Sequence, residues 1–375
     1  MTVVIKAITD KSDLRKFIYL PAEIHKDHKN WLPPIYLDEW EFFTPSKNKS
    51  FSYCDTVLAL AYREGKVVGR IMGIINRKYN DLRNEKHARF GYLECWDDPE
   101  VSHALLNYVE DWARVKGMHR IIGPYGFSDK DPQGLLIEGF EFTPLISAPC
   151  NQKFLVGLVE DEGYEKEVDC LMFRADLTKQ VPEFYNKIFN RVNSNSEYKL
   201  LEFTRKRDLK PYILPILQLL NESYAHIYGF SPLEEQEMKD FAKRYMPVLD
   251  PRFVKAIIHA GQVVAFIIGL PNMSPGIQRS KGRLTPLGLF YIWLSSKSTK
   301  QLDLMLGGVK PDHQGRGLEV LMGLKLFDSA KQAQYTSVEV HLVLETNAPM
   351  LAQMSKLGAL PHKRFRVFQK NLRDN

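Results

Sequence analysis

Two stretches of this chain match each other at a fixed offset of 196 residues, and this repeat limits the possible folds more than any other feature. Residues 57–76, centred on Arg-Glu-Gly65-Lys-Val-Val-Gly, resemble residues 259–272, centred on His-Ala-Gly261-Gln-Val-Val-Ala. Gly65 pairs with Gly261 and Asn76 with Asn272. Each copy reads as strand, tight turn at the glycine, strand: a β-hairpin. The same offset links Asn151 to Asn347. Each of these asparagines opens a helix-like segment that stops at a glycine, Gly163 or Gly358. A β-prone closing strand follows, at 168–174 or 365–368. One repeat on this scale argues for duplication of a whole domain, not for a solenoid.

The length of 375 residues also suggests two domains. A polar stretch at 176–199 separates the copies, and its residues 181–192 have helical spacing. The expected organisation is an N-terminal domain at 1–177, a linker at 178–199 and a C-terminal domain at 200–375. Each half reads as helix, hairpin, strand, helix, strand, helix, strand. That pattern gives an α/β fold of α+β type: two tandem domains, each a mixed central sheet flanked by helices.

Composition narrows the function classes. Hydrophobic residues make up 44% and charged residues 26%, as expected of a globular protein with sizeable cores. No apolar run is long enough for a membrane span, and the first twenty residues hold no continuous apolar core of a signal peptide. Cys54, Cys95, Cys150 and Cys170 lack Cys-x-x-Cys spacing and read as free thiols in a reducing, cytoplasmic setting. The net charge of +6 fits an anionic ligand or an anionic lipid surface and requires neither. No basic stripe with interleaved aromatics marks a nucleic-acid interface. His25-Lys-Asp-His28 has helical spacing, but two histidines do not make a metal site, and no metal is expected. Gly-x-Ser-x-Gly, His-Glu-x-x-His and Walker patterns are all missing.

The halves differ where chemistry would sit. In the second, an apolar strand (Leu302, Leu304, Leu306) runs into Gly307-Gly308-Val309-Lys310-Pro-Asp-His-Gln314-Gly315-Arg316-Gly317-Leu318. A helix with the apolar stripe Leu318, Leu321, Leu324, Phe327 follows at once. Glycines at a helix start leave backbone N–H groups to converge on one anion, and Lys310 and Arg316 add positive charge. The plainer alternative is a tight strand-to-helix turn. In the first half, the equivalent helix opens with Asp97-Asp98-Pro99-Glu100. Asp98 is a good N-cap, Pro99 suits the first helical position and Gly117 ends the helix. Its stripe is Val101, Leu105, Tyr108, Val109 and Trp112. Three carboxylates there would repel a pyrophosphate. The first half has instead an insertion at 123–144, rich in Gly, Pro and aromatics, which is either a lid packed on the core or a wall of a substrate groove.

The second half resembles the GNAT acyltransferase superfamily. Members hold the pyrophosphate of acyl-CoA in a loop of pattern Gln/Arg-x-x-Gly-x-Gly/Ala, and Gln314-Gly-Arg-Gly317-Leu-Glu319 matches its first four positions. Glu319 stands where the family has a small residue. The whole chain looks like a bacterial family of tandem GNAT proteins. The matching segments are residues 30–34, 68–71, 90–94, 123–124, 134–140, 282–286 and 363–368. Some relatives look like GNAT-type bacterial ceramide synthases, which acylate a long-chain amine.

The resemblance implies an acyl-CoA-dependent N-acyltransferase with acetyl-CoA or a longer acyl-CoA as co-substrate. The acceptor would be a small-molecule or lipid amine, with room for peripheral contact at a membrane surface. Gly308, Val309, Gln314, Gly315, Arg316, Gly317, Leu318 and Asn347 would bind the co-substrate. Residues 337–345 alternate, placing Glu339, His341, Val343 and Glu345 on one face. In the family this strand splays from the one before the loop, which makes Glu345 and His341 the candidate bases. Where many members carry a tyrosine that protonates the thiolate, this chain has Met354. Tyr224, His226 and Tyr228 read as pocket lining or as rim packing, and Glu94 as a groove residue or a paired carboxylate. Two other readings stay open: a binding protein without turnover, and transfer from an aminoacyl-tRNA.

Overall fold

A computed structural model describes residues 2–146 and 148–372. The strands in chain order are β1 (Val4–Ala7), β2 (Cys54–Arg63), β3 (Lys66–Asn76), β4 (His87–Cys95), β5 (Arg120–Gly123), β6 (Leu135–Glu138), β7 (Glu165–Asp176), β8 (Lys199–Glu202), β9 (Val254–His259), β10 (Gln262–Pro271), β11 (Gln301–Val309), β12 (Ser337–Leu344) and β13 (Leu360–Asn371). The chain forms two compact units. One comprises Met1–Leu171, Ser274–Leu294 and Lys363–Asn375; the other comprises Met172–Met273 and Ser295–His362.

The units share one topology. In the first, β1 to β4 pair antiparallel in sequence order and β4 pairs parallel with β5. In the second, β8 to β11 pair antiparallel and β11 pairs parallel with β12. These are the mixed sheets the repeat implied. The repeated hairpins are the same to the residue. Glu64 and Gly65 join β2 to β3, Ala260 and Gly261 join β9 to β10, and all four have positive φ (52°, 75°, 47° and 79°). Two-residue turns of this hand match the twist of the strands they connect.

In the first unit the helix Pro99–Val115 packs on the sheet through its apolar stripe. Asp98 caps it by accepting from the backbone N–H groups of Glu100 and Val101. Two glycines of β3 let it approach closely. A Cβ at Gly69 would lie 2.7 Å from Leu105 Cδ1, and one at Gly73 would lie 2.9 Å from Val109 Cγ1. The first part of the insertion packs on the core of the first unit. Tyr125 and Phe127 are buried, and the buried Arg89 donates to the carbonyls of Gly126 and Phe127 at 3.1 and 2.9 Å. The guanidinium lies between the rings of Tyr79 and Tyr125, 4.7 Å from each.

Three features were not legible in the sequence. β1 and β8 are short edge strands. Segment Ser274–Leu294 follows β10 in the chain but folds with the first unit. β13 lies between β5 and β7 in the first unit's strand order, with Phe368 opposite Gly123 and Asn371 opposite Arg120.

Gly65 and Gly261 each have nothing within 4 Å of a built Cβ, so an alanine there suffers only from backbone conformation. Gly65→Ala and Gly261→Ala should each destabilise the protein by about 1 kcal/mol, the cost of holding an L-residue in the left-handed region. Gly157, inside the helix Phe154–Asp161, is equally open, and Gly157→Ala should stabilise by up to about 1 kcal/mol. Urea denaturation of the three variants checks the contrast, and equal signs at all three sites would contradict it.

Candidate active site in the second unit

The site begins where β11 and β12 part. Their parallel pairing runs from Gln301 opposite Ser337 to Leu304 opposite Val340 and then stops. β11 continues to Val309 and stays hydrogen-bonded to β10, through a bulge opposite Ile268 and Gly269. β12 continues to Leu344. A gap therefore opens between residues 305–309 of one strand and residues 341–344 of the other.

Beneath the opening lies a polar network. Asp303 and Glu339 are both buried and directly opposite each other in the register. Two like charges so placed need partners. Gln301 Nε2 donates to Asp303 Oδ1 at 2.9 Å and to Glu339 Oε2 at 3.0 Å. Asn272 Nδ2 donates to Asp303 Oδ2 at 2.9 Å. His362 Nε2 lies 3.2 Å from Glu339 Oε1. Sequence reasoning missed this network; its only signal was an aspartate within the otherwise apolar run 302–306 and the repeated Asn272.

Above the opening is the glycine loop. The helix Leu318–Gln332 starts at Gly317, whose φ is 84°, and Gly315 has φ 71°. Nothing lies within 4 Å of a Cβ at Gly315, so the loop is open there. Gly317 is closed instead: a Cβ would lie 2.6 Å from Ile188 Cγ2 and 3.9 Å from Arg191 Nη2. Ile188 and Arg191 belong to the helix Glu183–Asn193, within the stretch whose spacing predicted a helix. Arg191 thus adds a third cation, beside Lys310 and Arg316, which the sequence did not reveal. Arg316 Nη1 donates to Tyr198 Oη at 3.1 Å, and Nη2 donates to the Asp312 carbonyl at 3.1 Å. Lys310 is 3.8 Å from Glu222. Gln314 Nε2 donates to the Val309 carbonyl at 3.3 Å. At Gly308 a Cβ would come within 2.5 Å of Ser223 Oγ, so the strand there passes against the helix Ile213–Tyr224. Tyr224 Oη donates to the Gly307 carbonyl at 3.0 Å. Glu319 bears on Tyr185, whose hydroxyl is pushed up by burial and then by that carboxylate.

The remaining sequence candidates fall around the gap. His341 is the first β12 residue past the paired register. Burial pushes its imidazole down to about 4, partly opposed by Glu339, and the backbone N–H of Leu342 donates to its Nδ1 at 2.7 Å. Glu345 lies one residue beyond the end of β12, in a turn, and is half-buried. Asn347 caps the helix Ala348–Lys356 by accepting from Met350 N–H at 3.2 Å. Met354, on that helix, is buried.

The first unit lacks an equivalent loop. Its helix start is occupied by Asp98 and Glu100, both paired with Arg63. Glu94 is a paired carboxylate: His25 Nε2 lies 3.2 Å from its Oε2, and His25 Nδ1 lies 3.0 Å from His28 Nδ1.

No family model matches the sequence. Among curated proteins, the chain is 30% identical over 369 residues to the bacterial ceramide synthase of Caulobacter vibrioides, covering 96% of this chain and 95% of that protein. The chain belongs to this bacterial tandem GNAT family. It is also 28% identical to protein YghO of Escherichia coli over 381 residues, 98% of this chain and 95% of that one. A solved tandem GNAT protein from the clavulanic acid biosynthesis pathway, determined without acetyl-CoA, shares the fold. Its TM-score is 0.57 at 14% identity, over 100% of this chain and 99% of that one. The glycine loop and the strand gap beside it both lie in the second unit.

Two measurements test this geometry. Gln301→Leu leaves two buried carboxylates facing each other without their shared donor, and should cost about 2–4 kcal/mol in chemical denaturation. A loss below about 0.5 kcal/mol would remove the network from its role. Acid provides the second. Burial holds His341 near 4 and His87 near 3, so both stay neutral in the folded state while the unfolded chain binds protons below about pH 6.5. Their contribution is complete above that pH and is lost as the pH falls toward those folded values. The pH dependence of unfolding should flatten in His341→Gln over this window.

Proposed function

We propose that the chain is an acyl-CoA-dependent N-acyltransferase whose acceptor is a lipid amine. One observation carries the reading: a glycine loop stands at the end of the strand that parts from its neighbour. The name of the Caulobacter relative supports the acceptor class, since a ceramide is the amide of a long-chain amine. In this reading the duplicated halves, 1–177 and 200–375, joined by 178–199, have diverged, and only the second retained a co-substrate loop. The four cysteines are not joined in disulfides, which suits a reducing cytoplasmic setting.

The backbone N–H groups of Gln314, Gly315, Arg316, Gly317 and Leu318 would hold the pyrophosphate, with Lys310, Arg316 and Arg191 supplying positive charge. The open face at Gly315 leaves room for it. The acyl arm would enter the gap past Leu304 and Val340, with Asn347 beside it. The Lys310 N–H is given to Val264 of β10, so by alternation the Val309 N–H faces away from β10 and would polarise the thioester carbonyl, with Gly308 beside it. The amine nitrogen attacks that carbon, the C–S bond breaks and the nitrogen loses a proton to a base. Glu345 and His341 are the bases at the gap. Burial keeps His341 neutral and also weakens it as a base, and because its Nδ1 accepts from Leu342 N–H, Nε2 is the atom that would take the proton. The departing thiolate takes a proton from water. With Met354 at the tyrosine position this is tolerable, because a thiol titrates near about 8.5 and its anion leaves readily.

Met354 also favours a second reading, a GNAT-fold binding protein without turnover. Titration calorimetry with acetyl-CoA and palmitoyl-CoA, followed by thiol release with a long-chain amine, separates the two. Acyltransfer predicts saturable binding of one thioester and amine-dependent thiol release. Glu345→Gln or His341→Ala should lower that release about 100-fold or more with binding retained. Binding of neither thioester ends the proposal. Binding without release from a range of amines selects the second reading. Full release by both variants removes these two residues from the base role.

A further inference from the structure

Segment Ser274–Leu294 joins β10 to β11 but is fastened to the first unit. Ile277 is buried, and Ser274 Oγ donates to the Pro144 carbonyl at 2.9 Å. Gln278 Nε2 donates to the Trp31 carbonyl at 2.9 Å, and Tyr36 N–H donates to the Gly282 carbonyl at 3.1 Å. Gly282 has φ 69°, and a Cβ there would lie 2.0 Å from the Pro34 carbonyl oxygen. The base of the segment is therefore rigidly seated.

What this base carries is unusual. The helix Pro286–Ser298 opens with nine residues without a charge, Pro-Leu-Gly-Leu-Phe-Tyr-Ile-Trp-Leu. A helix apolar all round is normally buried. Here Leu287, Leu289, Phe290, Trp293 and Leu294 are exposed, from 40% for Leu294 to 59% for Leu287. Leu37 of the same unit is 56% exposed. Such a contiguous patch marks an interaction surface.

The charge around it selects the partner. From 274 to 298 there is no carboxylate, while Arg279, Lys281 and Arg283 lead into the helix. Arg283 and Leu284 line an open hollow with Arg15, Tyr19 and Leu37. Arg279 lies over the Tyr291 ring at 4.1 Å, and Phe290 stacks on Trp293 at 6.1 Å. An apolar tip with Trp and Tyr above a cationic collar matches the boundary between acyl chains and anionic headgroups. At thirteen residues the helix is too short to span, and among the described residues no helix is long and apolar enough to cross a membrane.

We infer that this helix docks the protein on an anionic lipid bilayer, inserting Leu287, Phe290 and Trp293 between the headgroups while Arg15, Arg279, Lys281 and Arg283 meet lipid phosphates. The inference stands apart from the proposed acyl transfer, because it needs neither co-substrate nor acceptor.

Sedimentation with vesicles tests it, using phosphatidylcholine alone and phosphatidylcholine mixed equally with phosphatidylglycerol. The full chain should sediment with the mixed vesicles, less so with the neutral ones, and should be released by salt. Leu287→Ser/Phe290→Ser/Trp293→Ser should weaken binding to the mixed vesicles about tenfold or more, with an unchanged unfolding midpoint and unchanged acyl-CoA binding. Arg15→Gln/Arg283→Gln should weaken it several-fold and reduce the salt dependence. Failure of the wild-type chain to bind, or equal binding by the triple variant, overturns the inference. So does a wild-type dimer that the triple variant converts to monomer, since a second copy would then cover the face. Unchanged binding and salt dependence in the arginine variant overturns the selection of anionic lipid.

Discussion

The second unit turns on one amide. Gln301 holds Asp303 and Glu339 together across adjacent parallel strands, one position before those strands stop pairing. Without it each carboxylate would lose one of the hydrogen bonds that replace water, keeping only Asn272 at Asp303 and His362 at Glu339. With the base fixed, the upper strand halves can separate without unzipping the sheet. β11 remains bonded to β10 up to Val309, so the separation falls entirely on the β12 side. The gap begins just past the pinned positions, and His341 is the first β12 residue beyond the paired register.

The loop itself is shaped by two different demands on glycine. Gly315 stands open, with a left-handed backbone and no neighbour. Gly317 is left-handed and also pressed against Ile188, so its missing side chain sets how closely the helix Glu183–Asn193 lies against the start of the helix Leu318–Gln332. The same contact brings Arg191 to the loop. A segment that reads as a polar connector therefore helps to build the anion-facing end of the unit. Glu319, the departure from the family pattern, lies on the Tyr185 side of that contact.

Local chemistry was legible; long-range chemistry was not. The hairpins could be read because two residues decide a tight turn, and Gly65 and Gly261 sit where positive φ is required. The cap at Asp98, the stripe of the following helix and the glycine loop could be read for the same reason. The polar network was hidden because Asn272, Gln301, Glu339 and His362 come together only through sheet register. Glu345 shows the limit of alternation: the pattern runs through residue 345, while the strand stops at Leu344. Residues 286–294 could not be placed either, since an uncharged run reads as core until exposure is known. Nor could any local signal reveal that Ser274–Leu294 and β13 fold with residues far earlier in the chain.

That last placement governs the order in which the protein can be completed. β13 sits between β5 and β7 in the first unit and donates Arg366 to the buried carboxylate of Asp169, Nε to Oδ1 at 2.9 Å and Nη2 to Oδ2 at 3.2 Å. During synthesis, the first 171 residues leave the ribosome with the slot for this strand still empty and an aspartate without its guanidinium. The slot is filled only when residues 360–371 emerge, long after the first unit's other strands. The nascent first unit therefore passes through a stage with two unpaired strand edges facing one gap, a period of exposure to wrong partners set by the time needed to translate the second half.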